Sequence, residues 1–183
     1  MNGLKKKDFS CVPTSLQIKI EAQQSGLTIS EEALVPEIDV VFDGADQIDS
    51  DLNMIKGGGG ALLREKILIS AARKVVILAS SSKFSSKLDR PVPIEVHPMA
   101  RSVLVQRLLK MGAKPELRIL EKGYPFVTEN GNIILDTWLG RIEDPVKSEI
   151  ELKSMPGVME AGIFTRRPDC CYRIGNSSFE ELS

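Results

Sequence analysis

Hydrophobic residues in the first half of the chain form two strand-like runs separated by a helix-like segment. Residues 38–42 are mostly apolar and end at Asp43, and residues 74–79 form a more continuous apolar run. Between them, the pattern over 61–73 predicts a helix, and a further helix is expected over 14–24. Apolar strands that alternate with helices are typical of a parallel sheet covered on both faces.

The second half of the chain has a different pattern, which begins after a proline-rich stretch over 88–98 that we expect to break regular structure. From there the periodicity predicts a helix, two strands, a helix and a strand, over 99–111, 115–120, 131–136, 145–154 and 158–164. Asn130-Gly131 is a tight-turn signal between the two middle strands. Two helices on a small antiparallel sheet are typical of a ferredoxin-like unit.

The predicted architecture is therefore α/β with two lobes. Residues 1–92 plus 165–183 form a Rossmann-like lobe around the parallel sheet, and residues 93–164 form a smaller ferredoxin-like α+β lobe. We expect the stretch over 166–175 to return to the larger lobe. The length of 183 residues suits one domain with a small satellite.

Composition narrows the classes of function. The 24 basic residues nearly cancel the 25 acidic ones, so no global positive field favours nucleic acid or an anionic membrane. Apolar runs such as 75–79 are too short to span a bilayer, and no apolar region follows the polar start over 1–8 as in a signal peptide. The three cysteines show no paired spacing, which favours a reducing cytoplasm.

Charged residues and glycines concentrate just after the first predicted strand. Asp43 and Asp46 come at the carboxyl end of that strand, where open α/β sheets bind ligands. Lys56 then precedes four consecutive glycines that lead into the predicted helix. Glycine backbone can approach an anion closely, and the helix N-terminus adds partial positive charge. Two alternatives to a binding site explain the same residues: an Asp-Gly turn at Asp43-Gly44 and a flexible linker at the four glycines.

Glu65 is the most informative single residue. Its helical neighbours three and four positions away are all apolar, so its carboxylate is expected to be partly desolvated. Desolvation raises a carboxyl pKa toward values that suit a general base. A boundary glutamate paired with Arg64 or Lys66 is the alternative. Lys83 follows the second strand, whose end opens on the same side of a parallel sheet. Taken alone, Lys83 is by default a solvated loop lysine.

Other candidates carry weaker signals. The single histidine, His97, has no partner at ligand spacing, so we expect a structural role. The four aspartates over 43–51 lack the spacing and closing glutamate of a calcium loop. No nucleophile elbow supports a serine triad. We therefore predict no metal site.

Several consecutive segments resemble one known family. DGADQID, MIKGGGGALLREK, ASSSK and PIEVHPMAR follow the order and spacing of the motifs of type A ribose-5-phosphate isomerases. GAKPELR, VTENGNIILD and MPGVMEAGIF continue the similarity, which covers residues 10–175. The resemblance implies interconversion of D-ribose 5-phosphate and D-ribulose 5-phosphate through an enediolate, in the non-oxidative pentose phosphate pathway. It implies a small sugar phosphate as ligand, no cofactor, and a homodimer or homotetramer.

The same resemblance implies roles for individual residues. Glu65 would move the proton between C1 and C2, and Asp43 with Asp46 would assist ring opening and proton transfer at the oxygens. Lys56 would stabilise the developing oxyanion together with backbone N–H groups. The implied substrate-binding residues are Lys83, Gly57, Gly58 and Gly59.

The chain departs from the family pattern at its start. Members of the family carry a G-x-G-[ST]-G-[ST] loop that grips the substrate phosphate, and no segment here matches it. Residues 10–15 resemble the segment that follows that loop, so we expect the Rossmann-like lobe to lack its first strand and to expose neighbouring strand edges. A fragment, a replaced N-terminus or a completing partner chain would each explain this, and each affects activity.

Two rival functions remain open. A non-catalytic sugar-phosphate-binding protein or subunit derived from the isomerase need not keep the base, so the presence of Glu65 with Asp43 and Lys56 favours an enzyme ancestry. A coenzyme A transferase of the same broad fold would use a glutamate as covalent nucleophile. The aspartate, glycine and glutamate segments fit the isomerase better.

Overall fold

The computed structural model describes residues 9–30, 37–175 and 178–182, so the polar start over 1–8 lies outside it. The helices within these ranges are α1 (Leu16–Gln24), α2 (Leu62–Ala71), α3 (Arg101–Lys110) and α4 (Pro145–Lys153). The strands are β1 (Ser10–Cys11), β2 (Thr28–Ile29), β3 (Ile38–Asp43), β4 (Gln47–Ile48), β5 (Met54–Ile55), β6 (Ala72–Ser80), β7 (Val92–Val96), β8 (Lys114–Leu117), β9 (Ile133–Trp138), β10 (Val158–Ala161), β11 (Ile163–Phe164), β12 (Cys170–Ile174) and β13 (Phe179–Leu182).

A four-stranded sheet in the order β13-β12-β6-β3, here named the mixed sheet, carries the predicted parallel strands. β3, β6 and β12 are parallel, and β13 is antiparallel at one edge. Val75 and Ile77 on β6 are fully buried and anchor the core beneath α2. The register pairs Asp43 with Ile77, so the carboxyl ends of β3 and β6 open at the same edge. The predicted return of the chain is confirmed, because β12 lies along β6.

A second sheet, named the antiparallel sheet, has the order β10-β7-β9-β8. With α3 after β7 and α4 after β9, the chain follows the β-α-β-β-α-β order of the expected ferredoxin-like unit. The expectation that prolines break the stretch over 88–98 was wrong for β7, which is buried along its whole length. The lobe boundaries at 93 and 164 stay a prediction.

Pro93 fits inside β7 because of where its missing N–H falls. The Pro93 carbonyl accepts a hydrogen bond of 2.8 Å from Gly162 N, so the Pro93 nitrogen faces the same edge. The pairing of β7 with β10 ends at Ala161, opposite Ile94. The sheet therefore needs no N–H from residue 93 at that edge, and a proline is tolerated. The sequence pattern alone does not show which neighbour a strand proline faces.

Three short strands in the order β11-β5-β4, named the bridging sheet, connect the two larger sheets. The single strand predicted over 158–164 is divided at Gly162 into β10 and β11. Gly162 O accepts from Lys56 N at 3.0 Å while its N–H reaches Pro93, so the chain crosses between sheets here. A Cβ at this position would lie only 2.8 Å from Pro93 O, which explains the glycine.

Two predicted helices have different ends in the structure. The helix predicted over 61–73 ends at Ala71, and Ala72 already begins β6 with extended backbone angles. The helix predicted over 99–111 starts with a 3-10 turn, and His97 Nδ1 caps it by accepting from Met99 N at 3.2 Å. His97 therefore has the expected structural role. Across the described ranges, no helix is long and apolar enough to cross a membrane.

Candidate active site

Four of the predicted site residues meet at the carboxyl edge of the mixed sheet. Asp43 is the last residue of β3, and Asp46 lies just before β4. Lys56 follows β5, and Glu65 lies in the first turn of α2. Three separate segments thus bring an acid pair, an ammonium and a carboxylate to one place, as the sequence predicted.

The Lys56 ammonium is the centre of this cluster. Its Nζ lies 2.7 Å from Asp43 Oδ2 and 3.1 Å from Glu65 Oε2, and it donates to Gly44 O at 2.7 Å. Only 3% of the side chain is exposed, and the Phe164 ring lies beside it. A buried ammonium is tolerated only with compensating partners, and two carboxylates with a carbonyl supply them here.

A short hairpin sets the position of Lys56. β4 and β5 pair antiparallel, and the turn between them is closed by Asp49, which is buried. Asp49 Oδ1 accepts from Asp51 N at 2.9 Å and from Asn53 N at 2.8 Å. Asp49 is therefore a turn residue of this hairpin.

The glycine run wraps against Asp46. Gly58 N donates to Asp46 Oδ2 at 2.8 Å, and a Cβ at Gly58 would lie 2.8 Å from Asp46 Oδ1. Gly57 and Gly60 have φ values of 101° and 86°, which glycine adopts freely. A Cβ at Gly59 would meet nothing within 4 Å, so this residue faces open space. The run is an ordered loop with a fixed path, and the linker alternative is excluded.

Arg118 also contacts the glycine run, and the sequence analysis gave it no role although it is the last residue of the segment GAKPELR. Its Nη1 donates to Gly57 O and to Gly58 O, each at 2.9 Å. The guanidinium is held by Asp136, through Nε at 2.8 Å and Nη2 at 2.5 Å. Arg118 lies just beyond β8, and the pairing of β8 with β9 brings it to this loop. The residues around it in the sequence do not indicate this contact.

The Glu65 carboxylate is the candidate base, and its side chain is 13% exposed. Oε2 has no hydrogen-bond partner among the described residues besides its ion contact with Lys56. Burial raises the pKa of Glu65 above its ordinary value of 4.5. Lys56 opposes the rise in this pKa, while the negative charges of Asp43 and Asp46 add to it. The predicted desolvated carboxylate is thus present, with a counter-ion in reach.

The residues on either side of the candidate base tie α2 to the rest of the protein. Arg64 Nη1 lies 2.7 Å from Glu129 Oε2, in the turn before β9. Lys66 Nζ lies 2.6 Å from Glu149 Oε1 and 2.8 Å from Glu160 Oε1, on α4 and β10. Both neighbours were candidate partners for the base itself, but each points away from the site.

A groove of about 850 Å³ runs beside β3, with residues 9–18 on its other wall. Asp43, Gly59 and Glu65 are among its lining residues. Lys83 lies in a 3-10 turn after β6 at the same edge of the mixed sheet. No contact within the described ranges joins Lys83 to the charged cluster, so its role in binding substrate stays a prediction.

A largely buried carboxylate beside a buried ammonium and amide donors, at the edge of an α/β sheet, is the arrangement expected in an enzyme that moves a proton next to a carbonyl group. The family model of ribose 5-phosphate isomerase A (phosphoriboisomerase A) matches residues 10–178. The chain belongs to this family.

Individual relatives agree with the family match. Ribose-5-phosphate isomerase A of Methanosarcina acetivorans is 46% identical over 158 residues, which cover 86% of this chain and 68% of that protein. The enzyme of Pyrococcus horikoshii is 44% identical over 160 residues, covering 86% and 70%.

Solved structures give the same result. A D-ribose-5-phosphate isomerase in complex with phospho-erythronic acid has a TM-score of 0.92 and 40% identity, covering 97% of this chain and 79% of that one. The ribose 5-phosphate isomerase A of Neisseria gonorrhoeae has a TM-score of 0.88 and 36% identity, covering 94% and 76%. These matches confirm the family resemblance, the α/β fold class and the isomerase function expected from the sequence.

Proposed function

We propose that this chain interconverts D-ribose 5-phosphate and D-ribulose 5-phosphate with Glu65 as the base. The observation that carries the assignment of the base is the contact of 3.1 Å between Glu65 Oε2 and Lys56 Nζ. It places a carboxylate with a raised pKa beside the positive charge that its reaction needs. The groove that Glu65 lines is open to a small sugar phosphate.

The proposed reaction begins when Glu65 removes the C2 proton of the open-chain aldose. The electron pair of that C–H bond forms the C1–C2 double bond, and negative charge develops on O1. Lys56 and the amides of the glycine run stabilise this enediolate. Glu65 then returns the proton to C1, while the O2 proton moves to O1 and leaves a ketone at C2.

Asp43 is proposed to shuttle protons at the sugar oxygens and to assist ring opening, with Asp46 in support. Its Oδ2 is 2.7 Å from Lys56, and Gly44 N donates to Oδ1 at 2.7 Å, so the carboxylate is held in place. Asp46 fixes the glycine loop through Gly58 N. Lys83 is proposed to hold the substrate phosphate, since a partly exposed ammonium near a strand end suits a phosphate dianion.

Glu65→Gln tests the base. We expect turnover to fall by about 10⁴-fold, at the upper end for loss of a general base, with the fold retained. The assay is conversion of ribose 5-phosphate, together with exchange of the C2 hydrogen for solvent deuterium. Glu160→Gln is the matched control, since Glu160 is also buried but faces Lys66. Undiminished exchange in Glu65→Gln removes Glu65 as the base.

The same experiment separates the rival functions. A chain that binds ribose 5-phosphate but shows neither conversion nor exchange is a binding protein. A labelled coenzyme A thioester on Glu65 identifies a transferase. The ion contact with Lys56 favours the isomerase, because it places a positive charge beside the position where an enediolate develops.

We further propose that the chain forms homo-oligomers in the cytoplasm. Met99, Val103 and Ile150 on the helical side of the antiparallel sheet are 87%, 66% and 65% exposed, which favours burial against a second copy. Cys11, Cys170 and Cys171 are free, which fits a reducing compartment. Sedimentation velocity of the unmodified chain and of Val103→Glu tests the assembly. If a second copy packs on this face, the introduced charge disrupts the oligomer and the variant is expected to sediment as a smaller species.

A further inference from the structure

Arg118 makes two contacts with the glycine run through one nitrogen. Nη1 donates to the carbonyls of Gly57 and Gly58, which belong to consecutive peptide units. Asp136 binds the other two guanidinium nitrogens, and the Arg118 side chain is 15% exposed. The guanidinium is therefore fixed in orientation and largely shielded from water, so its hold on the two carbonyls is stronger than at the surface.

The two carbonyl contacts determine where the next amides point. In a planar trans peptide the N–H lies opposite the carbonyl, and the described part of the chain has no cis peptide. Gly58 N–H thus points away from Arg118, and it donates to Asp46. Gly59 N–H points away from Arg118 in the same way. It has no partner within the described ranges, and Gly59 lines the groove with Glu65.

We propose that Arg118 is a positioning residue for the isomerase reaction. By holding two carbonyls on the far side of the loop, it presents Gly59 N–H as a donor to the enediolate oxygen. Glycine has little intrinsic preference between peptide orientations, so without this clamp the Gly58–Gly59 peptide can turn its carbonyl toward the developing negative charge. The inference rests on the proposed function, because the donor needs an oxyanion to act on.

Arg118→Gln and Arg118→Ala test the proposal. For each we expect kcat to fall by about 100-fold, the usual effect of losing one oxyanion donor. KM is expected to change by less than about threefold, because the donor acts on charge that develops only after binding. Arg118→Lys keeps a cation beside Asp136 but reaches fewer acceptors, so we expect an intermediate kcat. Added guanidinium ion is expected to restore part of the kcat of Arg118→Ala.

Arg166→Gln is the matched control. Arg166 also donates to two main-chain carbonyls, those of Ile69 and Ala72, but they lie at the other end of α2. We expect this variant to lower the melting temperature and to leave kcat nearly unchanged.

The outcomes separate the two proposals. An unmodified chain without isomerase activity contradicts the proposed function. If the unmodified chain is active, three results overturn the role of Arg118: an unchanged kcat in Arg118→Gln, a change confined to KM, or no response of Arg118→Ala to guanidinium. Where Arg118→Ala fails to fold, Arg118→Lys decides, because full kcat in that variant also contradicts the proposal.

Discussion

Replacing Lys56 with methionine removes the charge at the centre of the candidate site while keeping a side chain of similar length. The Lys56 ammonium contacts Asp43 Oδ2, Glu65 Oε2 and Gly44 O, and methionine replaces none of these interactions. Two carboxylates that are 22% and 13% exposed then face each other without a counter-ion. We expect losses in both stability and turnover, with different pH dependence.

The magnitude follows from these contacts. Breaking a buried ion pair by removing one partner costs about 3–5 kcal/mol, and the partial exposure of both carboxylates places Lys56→Met near 3 kcal/mol. For a chain of this length, that corresponds to a fall in melting temperature of about 6–12 °C. Turnover is expected to fall by about 10²- to 10³-fold, because the enediolate loses its nearest positive charge.

The sign of the pH effect can be worked out for Glu65. Its folded-state pKa is raised, so its favourable contribution to stability is complete below the ordinary value of 4.5 and is lost as pH rises through the raised pKa. Lys56 opposes this rise in pKa, so its removal raises the pKa of Glu65 further. The destabilisation of Lys56→Met is therefore expected to be small at acidic pH and largest at alkaline pH.

Urea unfolding at about pH 5 and about pH 8 measures this difference. Glu65→Gln introduced into Lys56→Met removes one of the unpaired charges, so the double variant is expected to regain stability at the higher pH. Equal stability of Lys56→Met and the unmodified chain at both pH values refutes the reasoning. A double variant less stable than Lys56→Met also refutes it.

Three further predictions follow from the same site. The acidic limb of kcat/KM is expected above 4.5, because activity needs Glu65 deprotonated and its pKa is raised; a limb at or below 4.5 in the pH–rate profile contradicts this. Gly60→Ala is expected to cost about 1–3 kcal/mol of unfolding free energy, because φ is 86° and the new Cβ lies 2.5 Å from the Phe126 ring. Gly59→Ala, with open space around it, is the control, and equal stability of the two variants refutes the argument. Lys66→Met is expected to cost about 3 kcal/mol, since two glutamates lose their buried partner, and an unchanged urea midpoint contradicts this.

Residues placed by local geometry were predictable from the sequence. Asp43 comes at the end of an apolar strand, and Glu65 lies one turn into a helix. The end of the strand and the face of the helix therefore determine where these two side chains lie. Parallel pairing of β3 and β6 then brings their ends together. Lys56 joins them through the hairpin of β4 and β5, two short strands that were not predicted from the sequence. The positions of Asp43 and Glu65 depend on short-range patterns that a single sequence records.

Features that depend on distant pairing were not predictable in the same way. Arg118 reaches the glycine run only because β8 pairs with β9, and nothing near it in the sequence marks that contact. β7 was missed because proline normally ends a strand, and only the position of Gly162 explains why Pro93 is accepted. The direction of Lys66 likewise depends on α4 and β10, which lie far along the chain.

The ion pairs of Arg64 and Lys66 determine how the helix that carries Glu65 is attached to the rest of the protein. Arg64 reaches Glu129 in the turn before β9, and Lys66 reaches Glu149 on α4 and Glu160 on β10. The backbone N–H of Leu16, in the segment over residues 9–18 on the other wall of the groove, donates to the second carboxylate oxygen of Glu129 at 2.7 Å. One glutamate therefore joins both walls of the groove, and its replacement removes an attachment from each of them at once.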